Sequence, residues 1–309
     1  MVTRTRVSTL EDLLGPSTGR YFAAGYRHVE HALEVSGWLP SAGEYGPTWS
    51  GSARVSYPAA WSVGTDGTPR RPHLSSVDAI ALTVLAAERL VGADAPGRWV
   101  RAIELRASHE PCWELDDVPL ALVAQETDLG LCVHGTVGTI RTAVIMTPPA
   151  LEASATPSIG SVYGGSARRT TNRTVVDPID HETCSVRSVR SFATDDPTDL
   201  GPVGGLESAY RPALTVIDHL VTMGQLVQAL VQGLNSTDRD RMSNLWMRTM
   251  RISDVPRPAP LPVAIDTTTR VLRDTLVDRG GVRMHDLVVE SLGSDGVHAD
   301  ARLAYQELP

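Results

Sequence analysis

The sequence predicts an α+β protein in which one unit occurs twice, each unit a long apolar helix wrapped by a curved antiparallel sheet. Three observations predict it: two matched helix starts, a second pair of matched segments downstream of each helix, and period-two apolar patterns around both. In the first pair, Leu74-Ser75-Ser76-Val77-Asp78 parallels Leu214-Thr215-Val216-Ile217-Asp218. Pro72 and Pro212 precede these segments, and Arg71 and Arg211 precede the prolines. In the second pair, Trp99-Val100-Arg101-Ala102-Ile103-Glu104-Leu105 parallels Trp246-Met247-Arg248-Thr249-Met250-Arg251-Ile252. Two matches in the same order point to duplication, with units over 1–150 and 151–309.

Along the first unit, alternation predicts strands near 20–35, 51–62, 99–107, 118–126 and 131–146. Between them, Ser75 opens an apolar run that continues through Leu85-Ala86-Ala87-Glu88-Arg89-Leu90. A helix apolar on every face belongs inside a sheet rather than on it. Along the second unit, strands are expected near 183–193, 245–253, 262–272, 282–292 and 296–306. The tight turn Ser294-Asp295-Gly296 joins the last two. The segments 147–172 and 194–209, rich in Gly, Pro, Ser and Thr, read as the link between units and a further loop.

The composition excludes whole classes of chemistry. Apolar residues make up 42% of the 309 residues and charged ones 21%, a globular balance. The net charge of −8 argues against a nucleic-acid partner. All 28 basic residues are arginine, and without lysine there is no Schiff base, no pyridoxal anchor and no Walker A loop. Cys112, Cys132 and Cys184 are dispersed and form no C-x-x-C pair, so neither a disulfide framework nor a metal site is expected. No apolar run reaches the roughly 18 residues of a membrane span, and the N-terminus has no signal-peptide core. A cytoplasmic protein that uses no membrane and no cofactor is expected.

The helix starts carry the chemistry. A hydroxyl followed three residues later by Asp is a capping arrangement in which both side chains satisfy first-turn N–H groups. The same helix end offers N–H donors to a thioester or ketone carbonyl, and a carboxylate beside it can act as acid or base. The two readings are compatible, and in the second Asp78 and Asp218 are candidate catalytic residues. His31, in Tyr26-Arg27-His28-Val29-Glu30-His31, and His73, just before the first helix, are the candidate partners. The Tyr45-Gly46-Pro47-Thr48-Trp49 turn brings two aromatics ahead of the first helix, whereas Trp99 and Trp246 read as core anchors. Arg168-Arg169 and Arg70-Arg71 are pairs able to hold a phosphate or carboxylate, although solvated surface arginines are the commoner explanation of such pairs.

These motifs resemble known proteins. The helix starts are similar to those of hot-dog enzymes, and Tyr45-Gly46-Pro47-Thr48-Trp49 resembles the Y-G-P-x-F motif of polyketide dehydratases, which are double hot dogs. In that family the helix Asp works with a His of the other repeat. Here Leu82 and Thr222 stand where the family has Gln or His, and Val35 stands where its His motif has Gly. Over nearly its whole length the chain resembles the avirulence protein D (AvrD) family. The resemblance is carried by Gly19-Arg20-Tyr21-Phe22-Ala23-Ala24-Gly25-Tyr26-Arg27, Pro72-His73-Leu74-Ser75 and Leu245-Trp246-Met247-Arg248. It implies a double hot dog that condenses a β-ketoacyl thioester, held on an acyl carrier protein or CoA, with a ketose such as xylulose to make a syringolide-like signal. Asp78, Asp218, His31 and His73 are then the expected catalytic residues, and Tyr45, Trp49, Arg71 and Arg211 the expected substrate contacts. A monomer or a homodimer would serve. A thioester dehydratase or hydratase, or a ligand-binding module without turnover, is the alternative.

Overall fold

The computed structural model describes residues 7–34, 37–40, 46–59, 61–63, 67–150, 160–164, 170–194, 203–235, 245–279 and 282–306. The chain opens with β1 (Ser8–Thr9) and the short helix α1 (Leu10–Leu14). Strands β2 (Glu30–Leu33), β3 (Trp38–Leu39) and β4 (Thr48–Ser56) precede α2 (Ser76–Val91). After it come β5 (Val100–Arg106), β6 (Val118–Thr127), β7 (Gly130–Val137) and β8 (Ile140–Met146). The second half repeats the plan. It has β9 (Gly160–Ser161), β10 (Thr170–Val176), β11 (Ser185–Thr194) and β12 (Val203–Gly204), then α3 (Val216–Asn235). It ends with β13 (Trp246–Ser253), β14 (Val263–Arg279), β15 (Val282–Gly293) and β16 (His298–Gln306).

One sheet runs through both halves in the order β1-β10-β11-β14-β15-β16-β13-β5-β8-β7-β6-β4-β2, with β3 on β4. Its middle is the pair of echoed segments: β5 and β13 run antiparallel, Ile103 opposite Ile252 and Arg106 opposite Thr249. The duplicated strands thus pair with each other across a pseudo-two-fold seam. Each half wraps one long helix, which is the double hot-dog arrangement. In α2, Val77 to Val84 are all buried, and one apolar cluster joins Ile80 and Leu82 of α2 to Ile217, Leu220 and Met223 of α3. The helices lie inside because they are apolar on all sides, and the sheet curls because each must be covered.

Several boundaries differ from expectation. The stretch 20–28 is not a strand: it forms turns and a 3-10 helix, Gly25–His28. A Cβ at Gly25 would fall 2.2 Å from the Trp61 carbonyl oxygen, so this turn packs its backbone directly on the next segment. The expected strand 131–146 is the hairpin β7–β8, broken at Gly138 (φ +55°). β10 begins inside the expected linker, and its Thr171, Asn172, Arg173 run is polar enough to read as loop. The turn at 294–296 is where alternation put it, with Gly296 at φ +88°. The first residues cross over: β1 pairs with β10, and Leu10 and Leu14 pack with Val176, Leu226 and Leu230 of the second half.

Candidate functional site at the start of the first long helix

Ser75 caps α2 and accepts the Asp78 backbone N–H at 3.2 Å, while the Asp78 carboxylate reaches back to the Ser75 N–H at 3.1 Å. The capping box forms as the spacing predicts, and the packing adds to it. His31, on β2, brings Nε2 to 2.8 Å from Asp78 Oδ1, and neither side chain has exposed surface. The Tyr57 hydroxyl donates to Oδ2, as does the Ser75 hydroxyl. The Tyr21 hydroxyl stands 3.2 Å from both carboxylate oxygens and 2.5 Å from Ser75 Oγ. Burial alone would raise the Asp78 pKa. The His31 hydrogen bond and charge, with Ser75 and Tyr57, more than offset this and hold it below 3.8. The carboxylate stays ionised. Tyr57 moves the other way, pushed well above 10 by burial and then by the Asp78 charge.

A cavity of about 590 Å³ begins at this helix start and runs between the halves. Tyr21, His73, Ser75 and Ser76 form its wall in the first half. Across from them are Met223, Gly224 and Val227 of α3, together with Met247, Met250 and Leu303 of the sheet. Asp78 and His31 lie behind that wall rather than in it. His73 stacks on Trp246 (6.1 Å, 19°) and meets Trp113 and Trp61 edge-on at 5.6 and 6.0 Å. Burial lowers its pKa below 6.5, so a neutral imidazole faces the cavity at pH 7. Toward solvent, the Arg71 guanidinium lies 4.3 Å over the Trp113 ring, which is 41% exposed. Cys112 also lines the cavity, but burial raises its thiol, leaving it protonated and unsuited to nucleophilic attack.

Of the residues singled out from the sequence, Asp78, His31, His73 and Arg71 converge here. His31 and Asp78 both belong to the first half, so the pairing is within one repeat, not across repeats. Asp218 makes half of that arrangement: its carboxylate accepts from Thr215 N and Oγ1 at 2.9 and 2.8 Å, while its own N–H goes to the Thr215 carbonyl at 3.1 Å. It and Arg211 lie outside the cavity wall. Nearby, burial and then the Asp218 and Glu88 charges raise Glu207 to about 8. Trp49, expected at the substrate, is instead a core residue: it is 1% exposed, packed by Trp38 and below Arg89. β4 alternation turns it inward. Tyr45 and the pair Arg168-Arg169 lie outside the described residues. Trp246, read as a core anchor, lines the cavity, as do Tyr21, Trp61 and Trp113. The only signal for Tyr21 in the sequence was its place in Gly19-Arg20-Tyr21-Phe22, since nothing in spacing links it to residue 78. Among the described residues, no group of three His, Cys, Asp or Glu side chains is arranged to hold a metal, and no helix is long and apolar enough to cross a membrane.

A family model described as Pseudomonas avirulence D protein (AvrD) matches residues 5–307. No curated protein matches the chain. Among solved structures, it is similar to a hot-dog protein of unknown function from Alicyclobacillus acidocaldarius (10% identity, 87% of this chain and 96% of that one, TM-score 0.40). It is also similar to the acyl-CoA thioesterase II TesB2 of Mycobacterium marinum (13% identity, 75% and 89%, TM-score 0.39). A third is the dehydratase domain of the CurJ module of curacin polyketide synthase (9% identity, 87% and 94%, TM-score 0.34).

Proposed function

The chain belongs to the Pseudomonas avirulence D protein (AvrD) family, and on that premise we propose that it is an enzyme of secondary metabolism that transfers a β-ketoacyl group from a thioester to a small polyol, such as the ketose xylulose. The observation that carries this reading is the apolar cavity that ends on the start of α2, beside a buried ionised carboxylate. The acyl chain lies along Met223, Val227, Met247 and Leu303. Its carbonyl meets the first turn of α2, where free backbone N–H groups favour developing negative charge. The acceptor lies against His73 and the neighbouring Trp113, whose ring suits the apolar face of a sugar, with Arg71 holding its position. His73, neutral and facing the cavity, takes the acceptor hydroxyl proton and returns it to the leaving thiolate. The carrier is an acyl carrier protein or CoA.

Mass spectrometry with β-ketoacyl thioesters, with and without xylulose, tests it. A new mass equal to the condensed product, absent without enzyme, is expected. A second reading, a thioester dehydratase or hydratase, draws on the 2.8 Å contact of His31 with Asp78, although that pair lies behind the cavity wall and within one repeat. That enzyme gives a product differing by one water with no sugar present, whereas binding without any turnover leaves a ligand-binding module.

A further inference from the structure

Asp78 holds its charge where substrate does not reach. Its side chain has no exposed surface, His31 occupies Oδ1, and Ser75 and Tyr57 occupy Oδ2. Two of the residues lining the cavity bond to it through their hydroxyls, Ser75 and Tyr21. Ser75 is committed to the cap: it donates to Asp78 and accepts the Asp78 N–H. Tyr21 is not needed for the cap. Its hydroxyl is 2.5 Å from Ser75 Oγ and 3.2 Å from both Asp78 oxygens, and the carboxylate keeps His31, Ser75 and Tyr57 when that proton turns to a developing oxyanion. The ring is held by Trp61 at 5.4 Å, Phe22 at 5.5 Å and Tyr57 at 6.2 Å, so the hydroxyl stays at the end of the cavity.

We propose that Tyr21 is the residue that donates a hydrogen bond to the acyl carbonyl oxygen, while Ser75, Asp78 and His31 are positioning residues behind it. This rests on the acyl-thioester reading above. The acceptor oxygen bonds to the carbonyl carbon, and the C=O π pair moves onto the oxygen facing Tyr21. That pair re-forms C=O as the C–S bond breaks, and the acceptor proton passes through His73 to sulfur. Tyr21 keeps its proton throughout. Ser76, a first-turn residue that also lines the cavity, supplies the second donor through its backbone N–H.

The test uses a ketone in which CH2 replaces the sulfur of β-ketooctanoyl-pantetheine, labelled with ¹³C at the carbonyl. Binding is followed by tryptophan fluorescence, since Trp61, Trp113 and Trp246 face the cavity. Isotope-edited infrared spectroscopy reads the hydrogen bond. In Tyr21→Phe the affinity is expected to stay within about threefold, the carbonyl stretch to rise, and kcat to fall about 10²-fold with KM little changed. Fluorinated tyrosine at position 21, a stronger donor of almost the same shape, should lower the stretch, which keeps the idea testable if Tyr21→Phe misfolds. A bound ketone whose carbonyl frequency ignores both changes overturns the role of Tyr21 and leaves the thioester reading intact. A ketone that does not bind the unaltered protein overturns both.

Discussion

Asp78 and Asp218 occupy the same step of the same motif, yet their neighbours differ. His31, Tyr57 and Tyr21 surround Asp78, whereas Asp218 adds its charge to a region already holding Glu207 and Glu88. Asp78→Asn is therefore expected to lower turnover by about 10²-fold or more, and Asp218→Asn to leave it within about threefold, in parallel steady-state assays of folded proteins. His31→Ala leaves a buried carboxylate without its main partner. It should cost about 3–5 kcal/mol in urea unfolding, a loss typical of breaking a buried charge pair. With a pKa below 6.5, His73 should leave the rate level at neutral pH and produce an acid limb below 6.5 in kcat/KM, and His73→Ala should remove that limb.

Among elements, the β5–β13 seam and the strap carrying Glu207 tie the halves together. Ile103 and Ile252 face each other at the seam, both fully buried, and Ile103→Ala should cost about 2–5 kcal/mol in denaturant unfolding. Glu207 bridges the halves through Val100 N at 2.8 Å, and also accepts from Tyr163 at 2.9 Å. Its other oxygen, Oε2, has no hydrogen-bond partner among the described residues. Glu88, on α2, accepts from Leu206 N at 2.9 Å and Ser161 Oγ at 2.7 Å, and burial raises it to about 7. Both folded pKa values exceed the unfolded 4.5, so the folded chain binds more protons between them. The stability these groups contribute is complete below about pH 4.5 and is lost as pH rises through 7 to 8. A thermal-melt series should fall from pH 5 to 8.5, and Glu207→Gln should flatten that fall while changing little at pH 5.

At the scale of the molecule, neither half is closed by itself. Residues 1–150 alone would expose the β5 edge and leave Leu10 and Leu14 without the α3 residues they pack on. The two fragments should aggregate when made apart, and co-expression should restore a single species by size-exclusion chromatography. What the sequence determined was local and periodic: the caps at Ser75 and Thr215, the apolar α2 and α3, and the strands 100–106, 185–194 and 298–306. Hydrogen bonds and alternation within a few residues set these features, so the repeat and the fold class were legible. The tertiary structure alone decided that β2 carries His31 onto Asp78, 47 positions away, and that Tyr21 rather than Asp78 borders the cavity. It also turned Trp49 into the core and Trp246 toward the cavity. Such contacts depend on how two helices and a curved sheet fill one interior, and side chains distant in sequence meet there only after the packing has fixed every wall.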